Sequence, residues 1–385
     1  MKLLILSSNN GQGHNSAGRA LMEQAEKRKI PCGMVDALSL FSRAESRTMA
    51  GIHVQSARYA PQLFAIGNRV AEQMTRTKNP SYCYYANAIH AGKLAKYIAD
   101  NAYDTVVSTH VFPAETLTYL LRCVTPDLPA YFVETDYTCT PFVGETELTG
   151  YFIPHAALAQ EFVDCGVPEE KLIATGIPVS ERFCCPVDRK SARRTLGLPQ
   201  DCPIVLVMTG SMGFGNVNAL LSAVLHTLPD DARLCVMCGN NEKLKAGIHA
   251  EIGNEGRVLV QGYTDQIPLY MDASDVLLTK PGGLSVTEAA VHGIPLVLTT
   301  PIPGWEAKNV AFFTDMALAY SGTTPEMAAM ETLRLLNNAH ARHTMRERQN
   351  SEINAYAAQT IIDTLLLHER FPREQINESS IHVLA

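Results

Sequence analysis

The sequence predicts an α/β protein made of two doubly wound domains that face each other across a cleft. Each half of the chain opens on an apolar strand, a glycine-containing loop and a helix. The chain has 385 residues, and single cores rarely grow beyond about 250–300 residues. We expect a first domain at residues 1–178 and a second at residues 179–342, with a last helix near residues 343–368 crossing back to the first.

The first domain begins with the strand-like segment LLILSS, a loop containing Gly11 and Gly13, a helix, and a second strand that ends at Asp36. This β-α-β order is typical of a parallel, Rossmann-like sheet. Gly11, Gly13 and Asp36 also imitate the dinucleotide-binding fingerprint, which leaves an NAD(P)-dependent oxidoreductase as an alternative. Ser16 stands where the third glycine of that fingerprint belongs, so we regard this alternative as the minor one.

A helical, basic segment follows at residues 41–91. Its cations outnumber Glu45 and Glu72, and they are Arg43, Arg47, Arg58, Arg69, Arg76 and Lys78. A solvated helix face explains this pattern, and so does a patch that rests on an anionic membrane surface. The net charge of −7 argues against a general nucleic-acid-binding protein.

Strand patterns return at residues 105–108 and 130–134, and the second of them runs into Thr135 and Asp136. The chain has ten cysteines and no apolar segment that resembles a signal peptide or a membrane span, which favours a reducing cytoplasm. Cys235 and Cys238 have CxxC spacing within an apolar strand pattern, and we interpret them as buried strand residues rather than metal ligands.

The segment from Asp275 to Asn309 organises the second domain. It predicts a strand at Val276–Thr279, a turn with Gly282 and Gly283, a helix, and a further strand near residues 296–299. Adjacent glycines before a helix let the backbone approach a ligand, and the free N–H groups of the helix suit a phosphate.

Two acids accompany this turn. Glu288 lies about one turn into the helix, within reach of a sugar diol beside such a phosphate, and Glu306 lies on the loop after the next strand. Ser285 and Glu288 also have the spacing of a capping box, in which Glu288 returns to the helix N-terminus. These local features leave both interpretations of Glu288 open.

Taken together, the chain resembles the monogalactosyldiacylglycerol synthase and processive diacylglycerol glucosyltransferase family, within the family 28-like GT-B glycosyltransferases. The matching segments occur in order over residues 3–313. They are LILSSNNGQGHNSAGRAL, VVSTHVFPAETL, VETDY, TGIPV, TGSMGFG and TKPGGLSVTEAAVHGIPLVLTTPIPGWEAKN.

The resemblance implies an inverting hexosyltransferase in which the second domain binds a UDP-sugar and His14 of the first domain is the base or a donor-contacting group. A base role suits the removal of the acceptor hydroxyl proton. Asp136 is the group we consider for orienting that histidine, whereas His110 is expected to be structural or to line the acceptor site. The donor-contacting residues implied are Gly13, Ser211, Tyr263, Gly282, Gly283, Ser285, Glu288, Trp305, Glu306 and Asn309. No Asp-x-Asp motif is present, so we expect transfer without a metal or other cofactor.

The implied acceptor is diacylglycerol or a related glycolipid, reached by a protein peripheral on the inner face of the cell membrane. A polyprenyl-linked acceptor, as used by N-acetylglucosaminyl transferases of the same fold, is the nearest alternative. Trp305 stands where the family often has glutamine, and residues 137–143 replace a loop that carries His and Trp in relatives. The donor sugar and the lipid therefore stay open.

Overall fold

The computed structural model of the chain describes residues 1–8, 12–41, 81–209, 217–252, 255–302 and 304–370. Within these ranges the strands form two six-stranded sheets. Every strand pairing is parallel. The predicted doubly wound α/β class is therefore confirmed in both halves of the chain.

The first sheet has the strand order β2-β1-β3-β4-β5-β6. Its strands are β1 (Leu3–Ser7), β2 (Cys32–Asp36), β3 (Thr105–Ser108), β4 (Ala130–Val133), β5 (Gly150–Ile153) and β6 (Leu172–Ala174). The helices around it are α1 (Gln12–Lys27), α2 (Ala37–Phe41), α3 (Tyr82–Ala88), α4 (Ala91–Asp100), α5 (Val111–Cys123) and α6 (Ala159–Asp164).

The second sheet has the order β12-β11-β10-β7-β8-β9. Its strands are β7 (Ile204–Met208), β8 (Arg233–Met237), β9 (Val258–Gln261), β10 (Val276–Thr279), β11 (Leu296–Leu298) and β12 (Tyr320–Ser321). Its helices are α7 (Arg189–Thr195), α8 (Val217–Thr227), α9 (Glu242–Ile252), α10 (Ile267–Ala273), α11 (Gly283–His292), α12 (Trp305–Asp315) and α13 (Pro325–Asn337).

Central strands of both sheets are mostly apolar and buried because helices cover both faces. All five residues of β1 are buried, as are all four of β10. Cys235 and Cys238 are buried free thiols, as expected for strand packing. The order of each sheet reverses once, between β1 and β3 and between β7 and β10. Ligands of such sheets bind beyond the carboxyl ends of the strands at this reversal.

The end of the chain departs from the single helix predicted near residues 343–368. It forms two helices, α14 (Ala339–Glu352) and α15 (Ala357–Arg370). The Asn354 side chain interrupts them, since its amide donates to the Thr175 carbonyl at 2.8 Å and its oxygen accepts from the Tyr356 N–H at 2.9 Å. A single straight helix could not pack against both hydrophobic cores. Instead, α14 packs on α11 and α15 packs on α1.

The break between these helices lets Met345 enter the second hydrophobic core and Ile361 the first. The division of the chain into domains at residues 178 and 342 stays a prediction.

Candidate functional site

His14 lies in the first turn of α1, the helix that follows β1 in the chain. Its Nδ1 is 2.8 Å from the Thr109 carbonyl oxygen and 3.0 Å from the Thr135 hydroxyl. A carbonyl oxygen only accepts hydrogen bonds, so Nδ1 carries the hydrogen and Nε2 carries the lone pair of the neutral ring. The sequence pointed to Asp136 as the orienting group, but Thr109 holds the ring instead.

His110 has a structural position beside His14. The two rings meet edge to face with their centroids 4.7 Å apart. His110 is the N-cap of α5, and its Nδ1 accepts the Phe112 N–H at 3.1 Å. This capping contact agrees with the structural role preferred for His110.

The loop after β4 is organised by Glu134, which the sequence argument passed over. The carboxyl is fully buried, and its Oε1 accepts the backbone N–H groups of Thr135 and Asp136 at 2.9 and 3.3 Å. Its Oε2 accepts both the N–H and the hydroxyl of Thr140, at 3.1 and 2.9 Å. Burial, together with the nearby charge of Asp136, raises the pKa of Glu134 to about 8. An acid placed directly after a buried strand was the signal available in the sequence.

Asn309 of α12 joins this loop to the second sheet. Its amide donates to the Asp136 carboxylate at 2.7 Å and to the Pro281 carbonyl at 3.0 Å, while its oxygen accepts the Tyr137 N–H at 2.7 Å. Both amide hydrogens are thus used within the protein. Asn309 therefore bridges the two halves of the chain, and its contact with the donor stays a prediction.

Gly283, the first residue of α11, touches the same loop. Its N–H donates to Asp136 at 3.3 Å, and a Cβ at this position would lie 2.0 Å from the Thr135 carbonyl oxygen. Only glycine permits this approach. In this conformation, Asp136 covers the helix N-terminus at which the sequence predicted a diphosphate. Burial raises the pKa of Asp136 to about 6, although the Asn309 hydrogen bond lowers it.

Tyr137 inserts into the core of the second sheet. Its ring stacks on Phe312 at a centroid distance of 4.6 Å, and its hydroxyl lies 2.9 Å from that of Thr287. We call Glu134, Asp136, Tyr137, Gly283 and Asn309 the junction. A loop that the sequence linked to the acceptor thus begins as a buried interdomain contact.

Glu306 is buried, with 5% of its surface exposed. It lies in the first turn of α12 rather than on a loop. One oxygen is 2.5 Å from Nζ of Lys280, and the other accepts the Ile302 N–H at 2.9 Å. Lys280 belongs to the turn before α11 and was not among the residues singled out from the sequence.

Glu288 is half-buried on α11 and makes no hydrogen bond within the part of the chain that the structure describes. Gly282 is the N-cap of α11, and Ser285 lies inside the helix, so the capping-box interpretation is wrong. Burial raises the pKa of Glu288 to about 7, while the charges of Arg182 and Arg19 lower it. Its carboxylate keeps its capacity to accept hydrogen bonds from a ligand.

The other residues expected to contact the donor differ in position and exposure. Gly13 lies against Leu284, whose side chain would be 3.6 Å from a Cβ at that position, so α1 and α11 are neighbours. Tyr263 follows β9 and is 74% exposed. Ser285 and Trp305 are half-buried. Ser211 lies outside the described residues, as does the basic segment at residues 43–78.

The part of the chain that the structure describes contains neither a metal-binding cluster nor a membrane-spanning helix. No group of three or more His, Cys, Asp or Glu side chains there could hold a metal ion. No helix there is both long and apolar enough to cross a membrane.

Several solved structures share the fold of this chain. MurG of Acinetobacter baumannii is 14% identical with a TM-score of 0.61, and the alignment covers 94% of this chain and 98% of MurG. The MnaA–UDP structure from S. aureus is 14% identical with a TM-score of 0.65, covering 98% of each chain. Anabaena Alr3699/HepE in complex with UDP-glucose is 14% identical with a TM-score of 0.58, covering 95% of this chain and 99% of that chain.

Curated relatives match over most of their length. A processive diacylglycerol beta-glucosyltransferase of Staphylococcus saprophyticus is 27% identical over 348 residues, which are 88% of this chain and 85% of the relative. The Staphylococcus aureus (strain MRSA252) protein of that name is 24% identical over 373 residues, or 95% and 92% of the two chains.

Two family models together account for most of the chain. Residues 14–179 match the monogalactosyldiacylglycerol (MGDG) synthase model, and residues 204–361 match the glycosyltransferase family 28 C-terminal domain. These matches contain His14, the junction and Glu288, and they leave the dinucleotide alternative without support. The chain is a glycosyltransferase with the GT-B fold that joins an MGDG synthase domain to a family 28 C-terminal domain.

Proposed function

We propose that this protein transfers a hexose from a UDP-sugar to a hydroxyl group of diacylglycerol or a related glycolipid, with inversion at the anomeric carbon. The observation that carries the proposal is Glu288. It is a half-buried carboxylate without a hydrogen-bond partner in the described residues, on a helix whose first turn adjoins the first turn of α1, which carries His14. A ribose diol supplies the two donors that such a carboxylate lacks.

The proposed reaction is a single displacement at the anomeric carbon. The oxygen of the acceptor hydroxyl forms the new bond, and the bond from that carbon to the β-phosphate oxygen breaks. The electron pair of the broken bond goes to UDP, and the hydroxyl proton goes to Nε2 of His14. The Thr109 carbonyl supports this role because it holds the hydrogen of the neutral ring on Nδ1, which leaves the other nitrogen basic.

The acceptor class is supported by the names of the staphylococcal relatives and by an exposed apolar stripe. Tyr82, Tyr85 and Ile89 are 87%, 58% and 77% exposed, on and directly after α3. Their spacing of three and four residues places them on one face of the helix. Aromatic and aliphatic side chains on such a face suit the boundary between lipid headgroups and acyl chains.

We therefore propose a peripheral position on the cytoplasmic face of the membrane. A polyprenyl-linked acceptor is the second candidate, because the MurG-like fold alone does not distinguish lipids. We further propose that the transfer needs no metal, since positive charge and helix N–H groups can stabilise departing UDP.

The test measures UDP release by the full chain from UDP-glucose, UDP-galactose and UDP-N-acetylglucosamine. Each donor is offered diacylglycerol, a crude lipid extract or a polyprenyl-linked sugar, with and without EDTA. We expect release with a UDP-hexose and diacylglycerol that EDTA does not diminish. Release only with the polyprenyl acceptor would overturn the acceptor assignment, and stabilisation by NAD(H) but not by UDP would overturn the transferase itself.

A vesicle experiment tests the membrane proposal separately. Full-length protein is mixed with neutral or anionic vesicles, and the Tyr82→Ser/Tyr85→Ser variant is compared with the unaltered chain. We expect the variant to bind less well to both vesicle types, and added salt to weaken only the binding to anionic ones. Equal binding by the variant and the unaltered chain would remove the stripe from the proposal.

A further inference from the structure

Lys280 lies at the candidate site but has no role in the proposed function as stated above. It follows β10 at the carboxyl edge of the second sheet, and its side chain is 20% exposed. Its ammonium lies beside the turn that starts α11, because a Cβ on Gly282 would be 3.3 Å from Nζ. A cation is thus held at the helix N-terminus, where N–H groups already favour an anion.

Two carboxylates face this ammonium. Glu306 pairs with it at 2.5 Å. The charge of Lys280 also lowers the pKa of Asp136, although burial as the largest cause raises that pKa to about 6. Asp136 itself accepts the N–H of Gly283. The protein's own acids therefore occupy the positions that an incoming phosphate would take.

Space for a ligand group is present on the same strand edge. Lys280 helps to line a cavity of about 70 Å³ beyond the carboxyl ends of β7, β10 and β11. Hydroxyl groups line it as well, from Thr209, Thr299, Thr300 and Thr324. Hydroxyls and an ammonium are suitable donors to phosphate oxygens.

We propose that Lys280 is the residue that binds the β-phosphate of the donor and stabilises departing UDP. This inference rests on the proposed function and deepens it. When the bond from the anomeric carbon to the β-phosphate oxygen breaks, its electron pair adds one negative charge to that phosphate. Lys280 supplies a positive charge and three N–H donors where the charge develops, so its contribution is larger in the transition state than in the bound donor.

Neighbouring cations have other positions. The charges of Arg19 and Arg182 act on Glu288, further along α11. Lys308, on α12, pairs with Glu161 at 3.0 Å. Among these described cations, Lys280 is the one beside the Gly282 turn, and Lys308 provides a matched control on the adjoining helix.

The test compares the affinities of UDP and UMP, which differ by the β-phosphate alone. Isothermal titration calorimetry is performed on the full chain and on the Lys280→Met, Lys280→Arg and Lys308→Met variants. We expect UDP to bind the unaltered chain at least about tenfold more tightly than UMP, the gain typical of a charge-assisted contact. Lys280→Met should remove most of this ratio, whereas Lys280→Arg and Lys308→Met should keep it.

A second variant guards against misfolding. Glu306→Gln removes the competing charge but keeps an oxygen for the Ile302 N–H, so the ratio of UDP to UMP affinity should rise several-fold. A folding defect would not produce that gain. An equal loss of UDP and UMP affinity in Lys280→Met, with no gain in Glu306→Gln, would overturn the assignment of Lys280 but not the proposed function. Failure of the unaltered chain to bind either nucleotide would overturn the proposed function together with it.

Discussion

The junction and Glu288 share helix α11, yet their hydrogen bonding differs completely. Asn309 uses its amide oxygen and both amide hydrogens within the protein, and Asp136 accepts from Asn309 and Gly283. Glu288 makes no hydrogen bond among the described residues, although it is half-buried. The residues of one sequence block thus have two functions. The junction holds the two halves together, and the open carboxylate is available to a ligand.

We expect the largest effect on activity at His14, the proposed base. His14→Ala removes the proposed base, so kcat should fall by about 10²–10⁴-fold, the usual contribution of general base catalysis. UDP affinity should change little, since UDP has no proton to transfer to Nε2. Steady-state kinetics and nucleotide titration on the same preparation measure both quantities.

His110→Asn is the control for the base assignment. Asparagine also caps helix N-termini, so this variant should keep α5 intact and retain most of the transfer activity. Unchanged turnover in His14→Ala, or an equal loss in both variants, would remove His14 from its proposed role.

A smaller but still large effect is expected when the junction is opened. Gly283→Ala places a Cβ 2.0 Å from the Thr135 carbonyl oxygen, so the loop after β4 must move away from α11. Such overpacking costs roughly 1–3 kcal/mol. We expect a lower melting temperature together with a fall in kcat of about tenfold or more, because His14 loses the Thr135 contact.

Gly282→Ala is the matched neighbour of that variant. A Cβ at Gly282 meets only the flexible end of Lys280, at 3.3 Å, and Glu306 at 3.9 Å. Its melting temperature should stay close to that of the unaltered chain. If the two glycine variants behave alike, the close approach at Gly283 does not hold the halves together.

The sequence predicted the local elements around Gly282 better than it predicted the contacts of the junction, and the reason is distance along the chain. The strand, turn and helix around Gly282 follow from local spacing, and the structure places β10 at the predicted residues. Asn309 and Asp136 are 173 residues apart, so nothing local showed that the amide would be used internally. The prediction of a single last helix was wrong for a similar reason. The helix is interrupted where Asn354 donates to Thr175, which lies in another part of the chain.

The predicted contact between Glu288 and the ribose diol is tested by removing one of the two partners at a time. Glu288→Gln should weaken UDP binding by about tenfold, since a hydrogen bond to a charged acceptor contributes roughly 1.5–3 kcal/mol. It should weaken binding of 2′,3′-dideoxy-UDP hardly at all, because that ligand lacks the diol. Calorimetry with both ligands gives the coupling between the carboxylate and the ribose.

The same contact has a pH signature. The pKa of Glu288 is raised to about 7 by burial, and the ionised form is the better acceptor. UDP affinity of the unaltered chain should therefore rise as the pH increases through about 7, whereas Glu288→Gln should lack this rise. Equal weakening of UDP and its dideoxy analogue would assign Glu288 to the packing of α11 instead.

The smallest effect concerns Glu115, a buried acid of α5 that belongs neither to the junction nor to the proposed donor site around Glu288. One of its oxygens accepts the Asn87 amide at 2.5 Å, and the other has no hydrogen-bond partner among the described residues. Burial raises the pKa of Glu115 to about 8, with a smaller contribution from the charge of Glu145. Because this pKa is raised above its ordinary value of 4.5, the folded chain keeps a proton that the unfolded chain has lost.

Folding stability should therefore fall as the pH rises from about 4.5 towards 8. Glu115→Gln removes the titrating group, so the variant should gain stability relative to the unaltered chain over that interval, by a few degrees in melting temperature at pH 8. Glu147→Gln is the control of opposite sign. The Arg122 hydrogen bond lowers the pKa of Glu147 below its ordinary value of 4.5, so its loss should destabilise the chain at neutral pH, and this effect should diminish as the pH falls below 4.5. A Glu115→Gln melting temperature that stays parallel to that of the unaltered chain from pH 5 to 8 would mean that this carboxyl is hydrated in the folded protein.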